Sequence, residues 1–370
     1  MIRALLVDDE EPARLRLRSL LSEHPDVEIL GEAGDGEEAL QKITEFRPDL
    51  VFLDIQMPGK TGLEVLAALP PPRPRIIFCT AFDQYAINAF EHNAVDYLLK
   101  PLNRDRLGKA IHRVRKRLEE SERFRREWQD ASRTQARLLP REFPRRSTLD
   151  YRGNCRTASG VGGDYFDFLP VGENHLGIAI GDVSGKGMFA GLLMASLQAQ
   201  IQSRINLLGS DPENLFREIN NQMLSSTHSN QYATLFYAFY DDRTRKLTYC
   251  NAGHLPPLLL RPGNSPADGY RARKLTATGP PVGLLEDAEY TVESLDLQTG
   301  DILLGFTDGL TEARNPQLEE FGEERLESLV LDLQNPSPAD LVDRIFREVD
   351  RFRSAAPQQD DMTLVVAKVL

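Results

Sequence analysis

Up to about residue 118 the chain alternates short apolar runs with amphipathic stretches. The runs "IRALLVDD", "VEILGEA", "DLVFLDI", "RIIFCTA" and "AVDYLLKP" read as strands. Between and after them, "EPARLRLRSLLSEH", "GEEALQKITEF", "GLEVLAAL", "QYAINAFEH" and "NRDRLGKAIHRV" carry the three-and-four spacing of helices. Strand and helix in strict turn predict a parallel sheet with helices on both faces. Runs such as "LVFL", apolar without alternation, suit strands buried on both sides. Pro12 fits a first helical turn, and Gly34 with Gly36 marks a turn before the second helix.

From about residue 104 to 139 charge dominates and no convincing breaker follows Gly108. The apolar positions Leu107, Ile111, Val114, Leu118, Phe124, Trp128, Ala131 and Leu138 fall mostly at steps of three and four, which predicts a narrow coiled-coil seam rather than a globular face. Between Leu118 and Phe124 the phase slips, with Ser121 where two three-residue steps meet; such a stammer overwinds a coiled coil locally. A homodimer through this helix and a solvated linker helix are both compatible with the pattern. The prolines of "LLPREFPRR" end the helix. After residue 148 the pattern becomes alternating strands ("LDYRGNC", "HLGIAIGDV", "ATLFYAFYDD", "KLTYCNAG", "PPLLLRP", "DILLGFTDG", "MTLVVAKVL") with helical stretches between, which predicts mostly antiparallel sheets covered by helices. The expected division is 1–118, a helical linker over 119–140 whose helix starts near 104, and a second domain over 141–370.

With 370 residues and 41% hydrophobic content, the chain has material for two cores. No stretch approaches the roughly 20 apolar residues of a membrane span. "MIRALLVDDEEPAR" meets acid too early for a signal peptide, so no membrane role and a cytoplasmic location are expected. Cys79, Cys155 and Cys250, odd in number and scattered, suit a reducing compartment and give no zinc spacing. A net charge of -12 argues against nucleic acid as a partner. The basic stretches "RVRKR" and "RFRREW" are interleaved with Glu119, Glu120 and Glu122, as on a solvated face.

In a parallel α/β sheet, functional groups gather beyond the carboxyl ends of the strands. Asp8 and Asp9 end the first predicted strand, Asp54 the third, Thr80 the fourth and Lys100 the fifth. Three carboxylates can hold a hard cation and leave Asp54 as nucleophile toward phosphorus, with Lys100 and Thr80 meeting phosphoryl oxygens. Pro101 follows Lys100 directly, where a cis bond would aim the lysine. Over these motifs, residues 1 to about 118 resemble the receiver domain of two-component response regulators. The resemblance implies a doubly wound, five-stranded α/β fold. It further implies Asp54 as phosphoacceptor, Mg2+ held by Asp8, Asp9, Asp54 and the carbonyl of Gln56, Thr80 and Tyr97 as the switch pair, Lys100 at the phosphoryl group, and a sensor histidine kinase as partner. "AFEHNAVDYLLKP" looks most like receivers that carry a DNA-binding output of the LytTR type, which is not the pattern that follows here.

The second half places its own acids at strand edges in glycine-rich settings: Asp164 in "GVGGDYFDF", Asp182 in "IAIGDVSGKG", Asp308 in "GFTDGL", and Asp360 with Asp361 in "QQDDMTLVV". Glycine beside an acid lets the backbone approach a ligand closely. "GDVSGKG" is one residue short of a Walker loop and has Gly187 where serine or threonine is needed. Carboxylates without histidine or cysteine favour magnesium or manganese, and two such ions would activate a water for attack on a phosphate ester. Together with "TQARLLPREFP" and "NAGHLPPLLL", these motifs resemble the SpoIIE/RsbU branch of the metal-dependent protein phosphatases (PPM family). The resemblance implies an α+β fold with a β-sandwich flanked by helices and a serine/threonine phosphatase with two Mn2+ or Mg2+. In it Asp182 bridges both ions, Asp164 and the carbonyl of Val183 serve one, and Asp308 with Asp360 serves the other, Asp361 being the alternative to Asp360. It also implies a phosphorylated STAS-domain anti-sigma factor antagonist as substrate, with phosphorylation at Asp54 controlling activity. His254 and Asn251 invite catalytic roles, against which stands a plain turn before a strand. The competing reading is a non-catalytic adaptor that binds a sigma factor or its antagonist; a complete acid set separates the two.

Overall fold

The computed structural model describes residues 1–81, 94–141, 143–226, 231–263, 269–331, 333 and 335–370. It divides into two compact units, Met1–Arg126 and Glu127–Leu370.

In the first unit, β1 (Ile2–Val7), β2 (Val27–Ala33), β3 (Leu50–Asp54), β4 (Arg75–Thr80) and β5 (Asp96–Leu99) form one parallel sheet in the order β2-β1-β3-β4-β5. The helices α1 (Glu11–Leu21), α2 (Gly36–Phe46) and α3 (Gly62–Ala68) alternate with the strands. Both faces are covered: Leu6, Phe52 and Ile77 belong to one apolar cluster, and Leu5, Val51 and Phe78 to the other. That is why β3 is apolar without alternation. Helix starts are fixed locally. Asp35 accepts hydrogen bonds from the amides of Glu37 and Glu38 at α2, and Thr61 with Glu64 forms a capping box at α3. The predicted helix "QYAINAFEH" lies outside the described residues.

Helix α4 runs over Arg104–Gln135. Here the structure corrects the seam expectation. Leu107, Ala110, Ile111 and Val114 are fully buried in the first unit's core, with Leu118 packed against them. The spacing seen in the sequence is therefore a globular face over this stretch. Further along, Trp128 and Ala131 are half-buried, whereas Phe124 stays 64% exposed.

The second unit is a sandwich of two antiparallel sheets. One, in the order β13-β10-β9-β8-β7, contains β7 (Tyr165–Val171), β8 (His175–Val183), β9 (Ala233–Asp241), β10 (Lys246–Ala252) and β13 (Glu293–Asp296). The other, β12-β11-β14-β15-β6, contains β6 (Leu149–Arg156), β11 (Leu258–Pro262), β12 (Tyr270–Lys274), β14 (Ile302–Phe306) and β15 (Met362–Val369). Phe166, Ile178, Phe236, Leu303 and Val365 belong to the core that joins them. Outside the first sheet lie α5 (Met188–Leu208) and α6 (Pro212–Ser226). Outside the second lie α8 (Glu323–Leu331) and α9 (Pro338–Arg353), after the one-turn α7 (Asp308–Thr311). Helix α9 shows why they dock: Leu341, Val342, Ile345, Phe346 and Val349 form one buried stripe, each such side chain contributing about 1.5–3 kcal/mol on burial. Among the described residues no helix is long and apolar enough to cross a membrane.

Candidate functional site

At the carboxyl end of the parallel sheet, chain direction alone brings Asp8, Asp9, Asp54, Thr80 and Lys100 to one edge. Asp8, Asp9 and Asp54 each offer a carboxylate oxygen, all within 4.8 Å of one another, and this is the one such group among the described residues. The Lys100 ammonium lies 2.6 Å from Asp54 Oδ2 and 2.7 Å from Asp8 Oδ2. The Lys100–Pro101 peptide is cis. Burial pushes the Asp54 carboxyl up, with Lys100 and the Gln56 amide pulling it back only in part; Gln56 N–H donates to Asp54 Oδ1 at 3.1 Å. Burial opposes the charge on Lys100 as well, yet its bonds to Asp54 and Asp8 carry it above the usual lysine range. Thr80 is buried and Tyr97 half-buried. A contact with no signal in the sequence joins Tyr97 to α4. Asp96, wholly buried, binds Arg106 at 2.6 Å and Arg113 at 2.8 Å, and the Arg106 guanidinium lies over the Tyr97 ring at 5.7 Å.

The acids of the second unit come from four chain segments. Asp164 precedes β7, Asp182 lies near the end of β8, Asp308 opens α7 directly after β14, and Asp360 and Asp361 precede β15. Three glycines let these segments close. A Cβ on Gly162 would sit 1.9 Å from Asp361 Oδ2, one on Gly163 2.8 Å from the Val183 carbonyl, and one on Gly309 1.9 Å from the Asp361 carbonyl. Asp164 is buried and accepts hydrogen bonds from Thr307 at 2.8 Å and Thr363 at 2.6 Å. Burial, then the charge of Asp182, raises its carboxyl far above the usual range. Burial lifts Asp182 to about 7, helped by Asp308, Asp360 and Asp361. Asp308 is raised by burial and by Asp360.

Adjacent in sequence, Asp360 and Asp361 differ in role. Asp361 is buried and accepts the amides of Ala158 and Gly163, both at 2.8 Å. Asp360 turns toward solvent and pairs with Lys186 at 2.6 Å. Lys186 is thus a cation held against this acid set, and nothing in the Walker-like reading of its loop pointed to it. Gln135, at the end of α4, clamps the neighbouring loop: its amide donates to the Gly162 carbonyl at 2.7 Å and accepts the Gly162 N–H at 2.9 Å. The signal for Thr363 was a polar residue inside the apolar run of β15; Gln135 lies inside "TQARLLPREFP", where nothing marked it out from its neighbours.

His254 meets this region through Thr234, whose hydroxyl donates to the Asp182 carbonyl at 3.4 Å. It is buried, its Nδ1 lies 3.0 Å from the Thr234 hydroxyl, and burial, only partly opposed by the Phe306 backbone, lowers it to about 4. Asn251 holds the same turn, accepting the His254 amide at 2.8 Å and donating to the carbonyls of His254 and Leu275. Both residues build the turn.

Residues 172–370 match the family described as Stage II sporulation protein E (SpoIIE). The chain belongs to the SpoIIE family. Residues 4–112 match the response regulator receiver domain, so this SpoIIE-family chain carries a receiver domain ahead of its SpoIIE domain. In sequence, its receiver is 53% identical over 119 residues to an uncharacterized response regulatory protein of Shewanella oneidensis, covering 32% of this chain and 50% of that protein. It is 53% identical over 116 residues to the transcriptional regulatory protein BtsR of Salmonella typhi, covering 31% and 48%. The chain thus spans about half the length of the curated relatives it matches. In structure, the SiaA-PP2C domain of Pseudomonas aeruginosa aligns with TM-score 0.57 at 18% identity, covering 67% of this chain and 98% of that one, which speaks to the fold alone. The RsbU and RsbW domains of Rv1364c from Mycobacterium tuberculosis align with TM-score 0.50 at 26% identity, covering 61% of each chain.

Proposed function

We propose that this chain is a metal-dependent protein serine/threonine phosphatase of the cytoplasm, acting on a phosphorylated STAS-domain anti-sigma factor antagonist and switched by phosphorylation of Asp54. One observation carries the catalytic part: four chain segments bring Asp164, Asp182, Asp308 and Asp360 close enough that, with burial as the larger cause, the charges of Asp308 and Asp360 help lift Asp182 to about 7. An oxygen-only donor set of like charge suits Mg2+ or Mn2+. Asp164, Asp182, the Val183 carbonyl, Asp308 and Asp360 would hold two of them. Asp361, spent on two backbone amides, positions the loop. Bound divalent ions supply an activated water and charge neutralisation for hydrolysis of a phosphate ester. Asp164, fixed by two threonine hydroxyls, presents its carboxylate without a rotamer search. Lys186, its side chain 69% exposed, is free to turn from Asp360 to a phosphoryl oxygen of the substrate.

In the receiver, Asp8, Asp9, Asp54 and the Gln56 carbonyl would hold Mg2+, Asp54 would take the phosphoryl group from a sensor histidine kinase, and Lys100 and Thr80 would meet its oxygens. Tyr97 reports the change to α4 through Arg106, and activation is the sign we propose. Pairing of two chains around the exposed Phe124 gives the homodimer. Asp182→Asn tests the core of this reading. It should abolish Mn2+-dependent hydrolysis of phosphoserine while the far-ultraviolet circular dichroism stays that of the parent; unchanged turnover would remove Asp182 from the site.

A further inference from the structure

Trp128 is the only tryptophan of the chain, and it stands on α4 two turns before the helix ends. Its indole N–H donates to the Ser159 carbonyl at 2.6 Å. The ring lies along two glycines: a Cβ on Gly160 would be 3.4 Å from Nε1, and one on Gly187 would be 3.6 Å from Cη2. It therefore bridges the loop leading to Asp164 and the loop following Asp182. A cleft of about 430 Å³ opens there, lined by Trp128, Ser159, Asp182, Lys186 and Asp360. The acids form one wall and an aromatic ring another. Beside the cleft, Met188 and Phe189 in the first turn of α5 are 39% and 43% exposed, and a Cβ on Gly185 would lie 3.5 Å from the Phe189 ring.

A cleft of this size lies within the usual range of ligand sites and exceeds what one phosphoserine side chain fills. Rigid aromatic surface at the centre of a binding site carries much of the affinity for a peptide chain. We infer that Trp128 is a substrate-contact residue. The side chain next to the phosphoserine of an extended protein segment packs on its indole, and an apolar residue is preferred there. The inference rests on the phosphatase reading, because it is the acid wall that places the phosphoserine.

The test uses the full chain with Mn2+ and two phosphoserine peptides that differ only in leucine or glycine beside the phosphoserine. The parent should favour the leucine peptide in kcat/KM; in Trp128→Ala that preference should fall about tenfold, and Trp128→Phe should restore most of it. An equal loss on both peptides makes Trp128 merely structural and overturns the inference, as does a parent with no preference. A second measurement does not depend on turnover. In the parent with Mn2+, whose sole indole is Trp128, a leucine peptide carrying a non-hydrolysable phosphonate in place of the phosphoserine phosphate should shift the tryptophan emission at saturation, and a flat titration overturns the inference. Absence of any p-nitrophenyl phosphate hydrolysis by the parent defeats the phosphatase reading itself, and the emission titration then decides the contact alone.

Discussion

Asp360 and Asp361 should part company when each is replaced by alanine. Removing the Asp361 carboxylate leaves the buried amide of Gly163 and the part-buried amide of Ala158 without their acceptor. Hydrogen bonds to a charged group contribute about 1.5–3 kcal/mol each. Against that loss stands relief of the repulsion Asp361 exerts on Asp182 and Asp164. A net destabilisation of about 3 kcal/mol results. For a unit of this size it corresponds to a fall of roughly 6–12 °C in Tm. Asp360→Ala breaks a pair with Lys186 whose side chains are 69% and 39% exposed, of a kind that contributes roughly 0–1 kcal/mol, and removes the acceptor of the Asp361 amide, 2.9 Å away in the same half-exposed loop. It also takes a charge away from Asp182 and Asp308, so the metal-free Tm should stay within about 3 °C of the parent or rise. Activity should run the other way. Asp360→Ala should lose more Mn2+-stimulated p-nitrophenyl phosphate hydrolysis than the ~10–100-fold typical of an outer-shell change, the range expected for Asp361→Ala. Thermal denaturation without metal and turnover with it decide the matter. If Asp360→Ala proves the less stable variant and Asp361→Ala the less active, the assignment of the two residues is inverted.

Other outcomes follow from the same geometry. Folded Asp182 keeps its proton up to about 7 against 3.8 for an ordinary carboxyl, so between those values the folded state binds more protons than the unfolded one. Stability of the metal-free phosphatase unit should therefore fall as pH rises from about 4 to about 7, and Asp182→Asn should flatten that slope in a pH series of melting curves. Asp54→Ala should prevent labelling by acetyl phosphate, while Asp49→Ala should not, since Asp49 accepts the Arg3 amide beside the amino end of β3; persistent labelling without Asp54 would point to another nucleophile. Two glycines inserted after Ser121 should preserve both receiver labelling and basal hydrolysis yet uncouple them, and an insertion variant that still responds to acetyl phosphate would make α4 a mere tether.

What the sequence disclosed and what it withheld divide along one physical line. Strand ends are set by local pattern, so "LVFLD" followed by turn residues suffices to put Asp54 at a sheet edge, and "FTDGL" to put Asp308 after β14. Which oxygen faces which partner depends on loops that meet only in three dimensions. Asp361 is taken out of the acid set by the amides of Ala158 and Gly163, some 200 residues away in sequence, and Gln135 and Trp128 reach loops about 30 residues on. The α4 seam shows the limit most sharply. Leu107, Ile111, Val114 and Leu118 recur at steps of three and four, and the same steps describe a coiled-coil stripe and one face of a helix lying on a sheet. Periodicity fixes that a face is buried, never what buries it. The structure gives those residues to the receiver core and leaves Phe124 outside. The slip in phase around Ser121 is then the place where one burying surface has ended and the next has not begun, so the stammer marks a change of partner along the helix.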